Sequence, residues 1–280
     1  MLRIGLIGTE NSHTDYFVRH LNVDNGREGC RVVALAGGDT EKNRTLAAMG
    51  QIDHIVESAE DLIDLVDAAV VADRHGGLHR QNAVPLLEAG KHVFVDKPTA
   101  TTVADTEAII TAATKGGGVL ASWSAVRLAR EITEVKHAAG RLGALQVVTM
   151  TGPADPDDPH AGLFFYGPHV VEPALELLGN PEVGDIHVDT IEHTVVVTTQ
   201  AAGTQLVLTF VRPDDDGRIP WHIAAAGRHG IVATDITLGL DYNARGIDHF
   251  LHAVESEQPP MPYEQLIPPV RLLEAVAEAI

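Results

Sequence analysis

Cysteine is almost absent from this chain: Cys30 is the single one among 280 residues, so no internal disulfide can form. Basic side chains are scarce as well, 20 Lys and Arg against 39 Asp and Glu, for a formal net charge of −19. Affinity for nucleic acid comes largely from Lys and Arg displacing counterions, and here the summed field repels phosphate, so no nucleic-acid partner is expected. No window approaches the roughly 18 apolar residues of a membrane span, and no membrane partner is expected. The opening stretch Met1-Leu2-Arg3-Ile4-Gly5-Leu6-Ile7-Gly8 is too short for the apolar region of a secretory leader, and no A-x-A cleavage pattern follows it. These features lead to the expectation of a cytoplasmic protein.

What the sequence does have is an ordinary globular composition, 45% hydrophobic and 21% charged. A chain of this length is expected to form two domains and to bury roughly 75% of its unfolded surface. Histidine is abundant, with 15 copies. Several fall in segments that read as loops: His13, His75, His79, His160 and His169. Such a set suits acid–base chemistry or a metal and by itself decides neither.

Residues 1–121 alternate strand-like and helix-like segments. Strands are expected at Arg3 to Ile7, Arg31 to Ala36, Ile52 to Val56, Asp67 to Ala72, His92 to Val95 and Val119 to Ser122. Helices are expected at Asp15 to Leu21, after a Thr40 cap, after a Ser58 cap, at Leu78 to Ala89 and at Val103 to Thr114. Strands apolar on both faces and separated by helices imply a parallel sheet covered on both sides. Ligands of such sheets bind beyond the carboxyl ends of the strands. Those ends carry Gly8-Thr9-Glu10-Asn11-Ser12-His13, Gly37-Gly38-Asp39, Asp73-Arg74-His75 and Asp96-Lys97-Pro98. Residues 122–280 follow a different grammar. Helices near Glu131 to Ala139 and Val170 to Leu178 accompany a run of strands with short Gly or Asp turns, and two helices close the chain. The fold class is therefore α/β: an N-terminal Rossmann domain with a parallel sheet, then a C-terminal α+β domain with an open, mostly antiparallel sheet.

Lys97, between Asp96 and Pro98 at the end of a buried strand, carries the strongest chemical signal. A lysine there can lose its proton through desolvation or donate to a substrate oxygen; an ion pair closing the strand is the plainer alternative. Two other segments bear on the choice. One runs from Leu78 through Ala89-Gly90-Lys91-His92-Val93 to Asp96-Lys97-Pro98, and the other is Gly162-Leu163-Phe164-Phe165-Tyr166-Gly167-Pro168-His169-Val170-Val171-Glu172. With these motifs the chain resembles the Gfo/Idh/MocA family, the glucose-fructose oxidoreductase and inositol dehydrogenase group. The family's Ala-Gly-Lys-His-Val helix end and Glu-Lys-Pro motif are matched by Ala89 to Val93 and Asp96 to Pro98. Its Gly-x-His-x-x-Asp segment is matched by Gly167, His169 and Glu172.

The resemblance implies a nicotinamide-dependent oxidoreductase, with NAD or NADP, acting on a sugar, a polyol or a related small hydroxy compound. It implies that Lys97 exchanges a proton beside the nicotinamide and that His169 is the second polar group at the reacting carbon. Glu172 would hydrogen-bond the substrate or support the helix carrying His169. Trp123, Arg127 and Tyr166 are further candidates for a polar substrate pocket. Candidate cofactor contacts are Gly8, Glu10, Asn11, Ser12, His13, Asp39, Asp73, Arg74, His75, His79, Asp96 and Pro98. The open C-terminal sheet implies a homodimer or homotetramer.

Three positions depart from the family pattern. The Gly-x-Gly-x-x-Gly fingerprint keeps its first glycine, Gly8, while Glu10 and His13 replace the other two. Gly37 stands where an acid would bind the ribose, with Asp39 two residues later. Phe165 stands where the family has an acid four residues before the histidine. A dehydrogenase with a shifted cofactor loop, a redox-neutral lyase or isomerase using Lys97 and His169, and a catalytically silent ligand-binding protein all remain open on the sequence. No metal site is expected, since Gly76 and Gly77 prevent His75 and His79 from sharing a helix face. Asp214-Asp215-Asp216-Gly217 reads as a hairpin turn.

Overall fold

The structure is a computed structural model, which describes residues 1–239 and 242–280. Its elements, in chain order, begin with β1 (Leu2–Ile7), α1 (His13–Val18), β2 (Cys30–Ala36), α2 (Thr40–Gly50), β3 (His54–Val56) and β4 (Ala68–Val71). Next come α3 (His79–Glu88), β5 (His92–Asp96), α4 (Val103–Gly116), β6 (Leu120–Trp123), α5 (Arg130–Ala139), β7 (Leu145–Pro153), α6 (Leu163–Tyr166) and α7 (Pro168–Leu177). The chain ends with β8 (His187–Ile191), β9 (Thr194–Ala201), β10 (Thr204–Val211), β11 (Trp221–Gly227), β12 (Gly230–Ile236), α8 (Tyr242–Ser256) and α9 (Ile267–Ala279).

The first sheet has the order β3-β2-β1-β4-β5-β6, and each of its ladders is parallel. β4 is buried along its whole length, as a central strand covered on both faces must be. Strand order reverses between β1 and β4, and a crevice opens at the carboxyl side of such a switch point. Local signals set the helix ends. Asp39, and not the expected Thr40, caps α2: its side chain accepts the Lys42 N–H at 2.7 Å. Thr102 caps α4 through the Asp105 N–H at 3.1 Å, and Gly117 in the left-handed region ends that helix. The helix expected after Ser58 is a single 3-10 turn, Glu60–Leu62, opened by Ser58 and Asp61, which bond each other's backbone as a capping pair.

The second sheet has the order β12-β11-β7-β10-β9-β8. β7 and β10 run parallel, and the other pairs are antiparallel. β9, β10 and β11 alternate buried and half-buried positions, as a sheet packed on one face requires. The buried face, with Val148, Met150, Leu206, Leu208, Phe210 and Ile223, forms one core with Val171 and Leu175 of α7 and Leu272 and Val276 of α9.

The chain divides into two compact units, Met1–Trp123 with Asp241–Tyr263, and Ser124–Leu240 with Glu264–Ile280. A continuous second domain over 122–280 is therefore corrected. Ile247, Phe250 and Leu251 of α8 are fully buried, and Phe250 packs on Phe94 of β5 at 5.8 Å between ring centroids. This helix completes the cover of the first sheet. β7 also runs on through Gly152 and Pro153, since both pair with β10.

Candidate active site

In the N-terminal unit, the loop after β1 is tied to the ends of β4 and β5. Gly8 has φ +75°, and a Cβ there would run into the backbone of Ala72 and Asp73, so only glycine lets the two strand ends close up. Asn11 Nδ2 donates to the Ala72 carbonyl at 2.9 Å and to Asp96 Oδ2 at 3.2 Å, while Asn11 Oδ1 accepts the His13 N–H at 3.0 Å. His13 Nδ1 lies 2.7 Å from Asp96 Oδ2. The Glu10 carboxylate accepts the Arg74 N–H at 2.9 Å. Lys42 donates to the Asn11 carbonyl at 2.9 Å and pairs with Asp15 at 2.8 Å.

Asp96 and Lys97 are both buried, 4% and 5% exposed. Burial alone pushes the Asp96 carboxyl up, but the charge and hydrogen bond of His13, with Lys97 beside it, outweigh that and hold it well below the usual carboxylate range. An ionised Asp96 can only accept, so His13 presents its Nδ1–H to it. Asp73 is shifted the other way. Burial raises its carboxyl and Glu10 adds to the rise, against the lowering influence of His79 and of the Asn82 amide at 2.8 Å.

In the C-terminal unit, His169 sits in the first turn of α7, directly after Pro168. Ser124, fully buried, places Oγ 2.7 Å from His169 Nδ1 and gives its N–H to Glu172 Oε2 at 2.6 Å. The rings of Tyr166, His169 and Trp221 form a cluster with centroids 5.5 to 6.4 Å apart. The Arg218 guanidinium lies over Tyr166 and Trp221 at 5.9 and 5.4 Å and donates to the Tyr166 hydroxyl at 3.0 Å. A cleft of about 380 Å³ beside it is lined by Pro153, Tyr166, Pro213, Asp214, Gly217 and Arg218.

Residues 2–122 match the family described as Gfo/Idh/MocA, oxidoreductase family, NAD-binding Rossmann fold. Over this N-terminal stretch the chain is similar to the Gfo/Idh/MocA family. The 1,5-anhydro-D-fructose reductase of Ensifer adhaerens is 30% identical over 146 residues, 51% of this chain and 43% of that enzyme. The scyllo-inositol 2-dehydrogenase (NADP(+)) of Bacillus subtilis is 26% identical over 201 residues, 65% of this chain and 60% of that enzyme. The chain thus spans about half the length of these curated relatives. The fold extends further: apo scyllo-inositol dehydrogenase from Lactobacillus casei aligns with a TM-score of 0.86 over 100% of this chain and 96% of that one, at 14% identity.

The loop after β1 offers donors of the kind a dinucleotide uses despite its lost glycines. The backbone N–H groups of Glu10 and Ser12 donate to no acceptor among the described residues, and such loop donors are what a pyrophosphate accepts from. Gly38 leaves the first of them open, since a Cβ there would stand 3.3 Å from the Glu10 nitrogen. The Glu10 carboxylate is drawn toward Arg74, which turns its charge to the β4 side of the loop. Asp39 spends Oδ1 on the α2 cap.

Other expected contacts have structural duties instead. His79 is fully buried, with Nδ1 2.7 Å from the Pro98 carbonyl and Nε2 2.8 Å from that of Asp73. Both ring nitrogens are spent on holding two strand ends, which removes His79 from the cofactor contacts. Pro98 serves this clasp and packs where a Gly76 side chain would go. His75 turns back to accept the Gly77 N–H at 3.1 Å. Trp123 is 1% exposed and packs on Phe94 and His249 at 5.1 Å, so it belongs to the core of the N-terminal unit and lines no substrate pocket. Arg127 grips Glu176 through two nitrogens, at 3.0 and 2.6 Å, and its charge is committed there. Among the described residues no group of three or more His, Cys, Asp or Glu is gathered as a metal would require. Ser124 and Arg218 escaped the sequence reading: one follows a strand with no motif around it, and the other is the first residue after an Asp-rich turn.

Proposed function

We propose that the protein is a nicotinamide-dependent dehydrogenase or reductase acting on a sugar, polyol or inositol-like hydroxy compound. The observation that carries this reading is the buried Lys97 at the carboxyl end of β5, next to an ionised Asp96, in a domain whose switch-point loop offers free N–H donors. The reading is supported by the relatives, two of which are named as an anhydrofructose reductase and a scyllo-inositol dehydrogenase. The nicotinamide, when bound, supplies or takes the hydride. What is left to the chain is orientation and the proton.

Lys97 is the proton-exchanging group at Nζ, and its charge helps hold Asp96 ionised. Asn11 and His13 keep Asp96 in place. Within the C-terminal domain, His169 is the second polar group of this reading, with Tyr166 as a neighbouring hydroxyl and Glu172 fixing the backbone of Ser124. The half-buried face of the second sheet, with Thr149, Val207, Thr209 and Val196 in adjacent rows, is proposed as the contact of a homodimer or homotetramer, and the compartment as the cytoplasm. A monomer in light scattering at micromolar concentration overturns the oligomer.

Calorimetric titration with NADH and then NADPH tests the main reading. Micromolar binding of either supports it, and turnover of sugar alcohols or their ketones completes it. No heat and no thermal stabilisation at millimolar cofactor overturns it.

A further inference from the structure

Ser124 has one hydroxyl proton and, in its fully buried position, one acceptor for it. Its oxygen accepts the Val126 N–H at 3.1 Å and lies 2.7 Å from Nδ1 of His169. Its own N–H is already given to Glu172 at 2.6 Å. A backbone N–H cannot receive a proton, so the hydroxyl must donate to the Nδ1 lone pair. With the proton on Nδ1 instead, the buried hydroxyl hydrogen would have no partner, an arrangement that folded interiors avoid.

We propose that Ser124 is a positioning residue that fixes His169 as the tautomer protonated at Nε2, so that His169 meets a substrate oxygen as a hydrogen-bond donor and never as a base. The tautomer follows from Ser124 alone, and the role toward substrate rests on the dehydrogenase reading above. With the imidazole lone pair held at Nδ1, Nε2 has a proton to give and no lone pair to accept one. Proton exchange with the substrate hydroxyl then falls to Lys97.

The loss of the family acid at Phe165 fits this assignment. An ionised carboxylate against Nδ1 would draw the proton there, as Asp96 does with His13. Phe165 packs instead on His160 and Tyr166 at 5.1 Å between ring centroids and has no atom that could do so. One chain thus uses Nδ1 of two histidines in opposite senses: His13 donates there to a carboxylate, and His169 accepts there from a hydroxyl.

Two-bond nitrogen–proton NMR correlation of the uniformly 15N-labelled protein reads the tautomers directly at about pH 8, where an ordinary histidine is neutral. The His169 signals are identified by their absence in His169→Gln. The expected wild-type pattern is a pyrrole-type Nε2 and a pyridine-type Nδ1 for His169. A pyrrole-type Nδ1, or shifts averaged between the two forms, overturns the proposal. In Ser124→Ala the His169 shifts should move to the averaged pattern; a fixed Nε2–H form in that variant shows that Ser124 does not set it and also overturns the proposal. The wild-type spectrum decides the tautomer even if the variant fails to fold. Because no cofactor is present, failure of NADH to bind would strike the dehydrogenase reading and leave this measurement standing.

Discussion

Nδ1 of His13 lies 2.7 Å from Oδ2 of Asp96, and through this pair the loop after β1 is fastened to the end of β5. The position of His13 is one where a dinucleotide fingerprint has glycine, so the residue that weakens the motif also builds a polar anchor. Its partner is the immediate neighbour of Lys97.

The Asp96 carboxyl lies below its ordinary range in the folded protein. Its stabilising contribution is therefore complete above about pH 4, the unfolded value, and is lost as pH falls through the lower folded value. Asp96→Asn should cost about 3 kcal/mol at neutral pH, the scale for breaking a buried pair. It should also flatten the acid side of the stability curve. Urea unfolding between pH 3 and pH 7, taken as a range spanning about one unit below to three above that ordinary value, checks both effects. Unchanged stability at the upper end would remove Asp96 from the fold's electrostatics.

Asp73 carries the opposite sign. Burial raises its carboxyl in the folded state, so ionisation disfavours folding, and the penalty is present at every pH above the folded value. Asp73→Asn removes the charge, and the amide oxygen can still accept from Asn82. Thermal stability at neutral pH should rise, with the gain shrinking as the medium is acidified. A lower melting temperature at neutral pH would show that the charge supports the structure.

The alternation of short apolar strands with helices made the first domain legible, because a strand buried on both faces, such as Ala68–Val71, has few other places to go. The crevice segments were legible for the same reason: topology alone brings strand ends together. What local sequence did not reveal were pairings between distant residues. His13 and Asp96 are 83 positions apart and Ser124 and His169 are 45 apart, and no periodicity encodes such partners. α8 misled for a related reason. Its apolar stripe is visible in Ile247, Phe250 and Leu251, but a stripe does not say which sheet it covers. Trp123 and His79 read as site residues because aromatic and imidazole groups suit ligands, yet the fold uses one as filling and the other as a clasp.

Glu10 puts a carboxylate on the loop expected to receive a pyrophosphate. Glu10→Gln keeps an acceptor for the Arg74 N–H and removes the charge. Cofactor affinity should tighten by roughly fivefold, about 1 kcal/mol for a solvent-screened charge pair, and the gain should shrink in high salt. Calorimetry with NADH on both proteins measures it. Equal affinities at low salt would mean that the carboxylate, held toward Arg74, is not felt by the dinucleotide.

Lys97 separates binding from chemistry. Its side chain is buried, and its charge is one of the influences that keep Asp96 ionised. Lys97→Met preserves the apolar stem while removing the proton-exchanging amine. Turnover should fall by about 10² to 10⁴, the range for loss of a general acid or base. NADH affinity should stay within about twofold, well under the tenfold that 1.4 kcal/mol represents. With the lysine charge gone, the Asp96 carboxyl should titrate at higher pH than in the wild type, so acid unfolding of the variant should begin earlier. A variant that turns over like the wild type takes Lys97 out of the mechanism. One that loses NADH binding along with turnover makes Lys97 a cofactor anchor, and the proton must then be handled elsewhere.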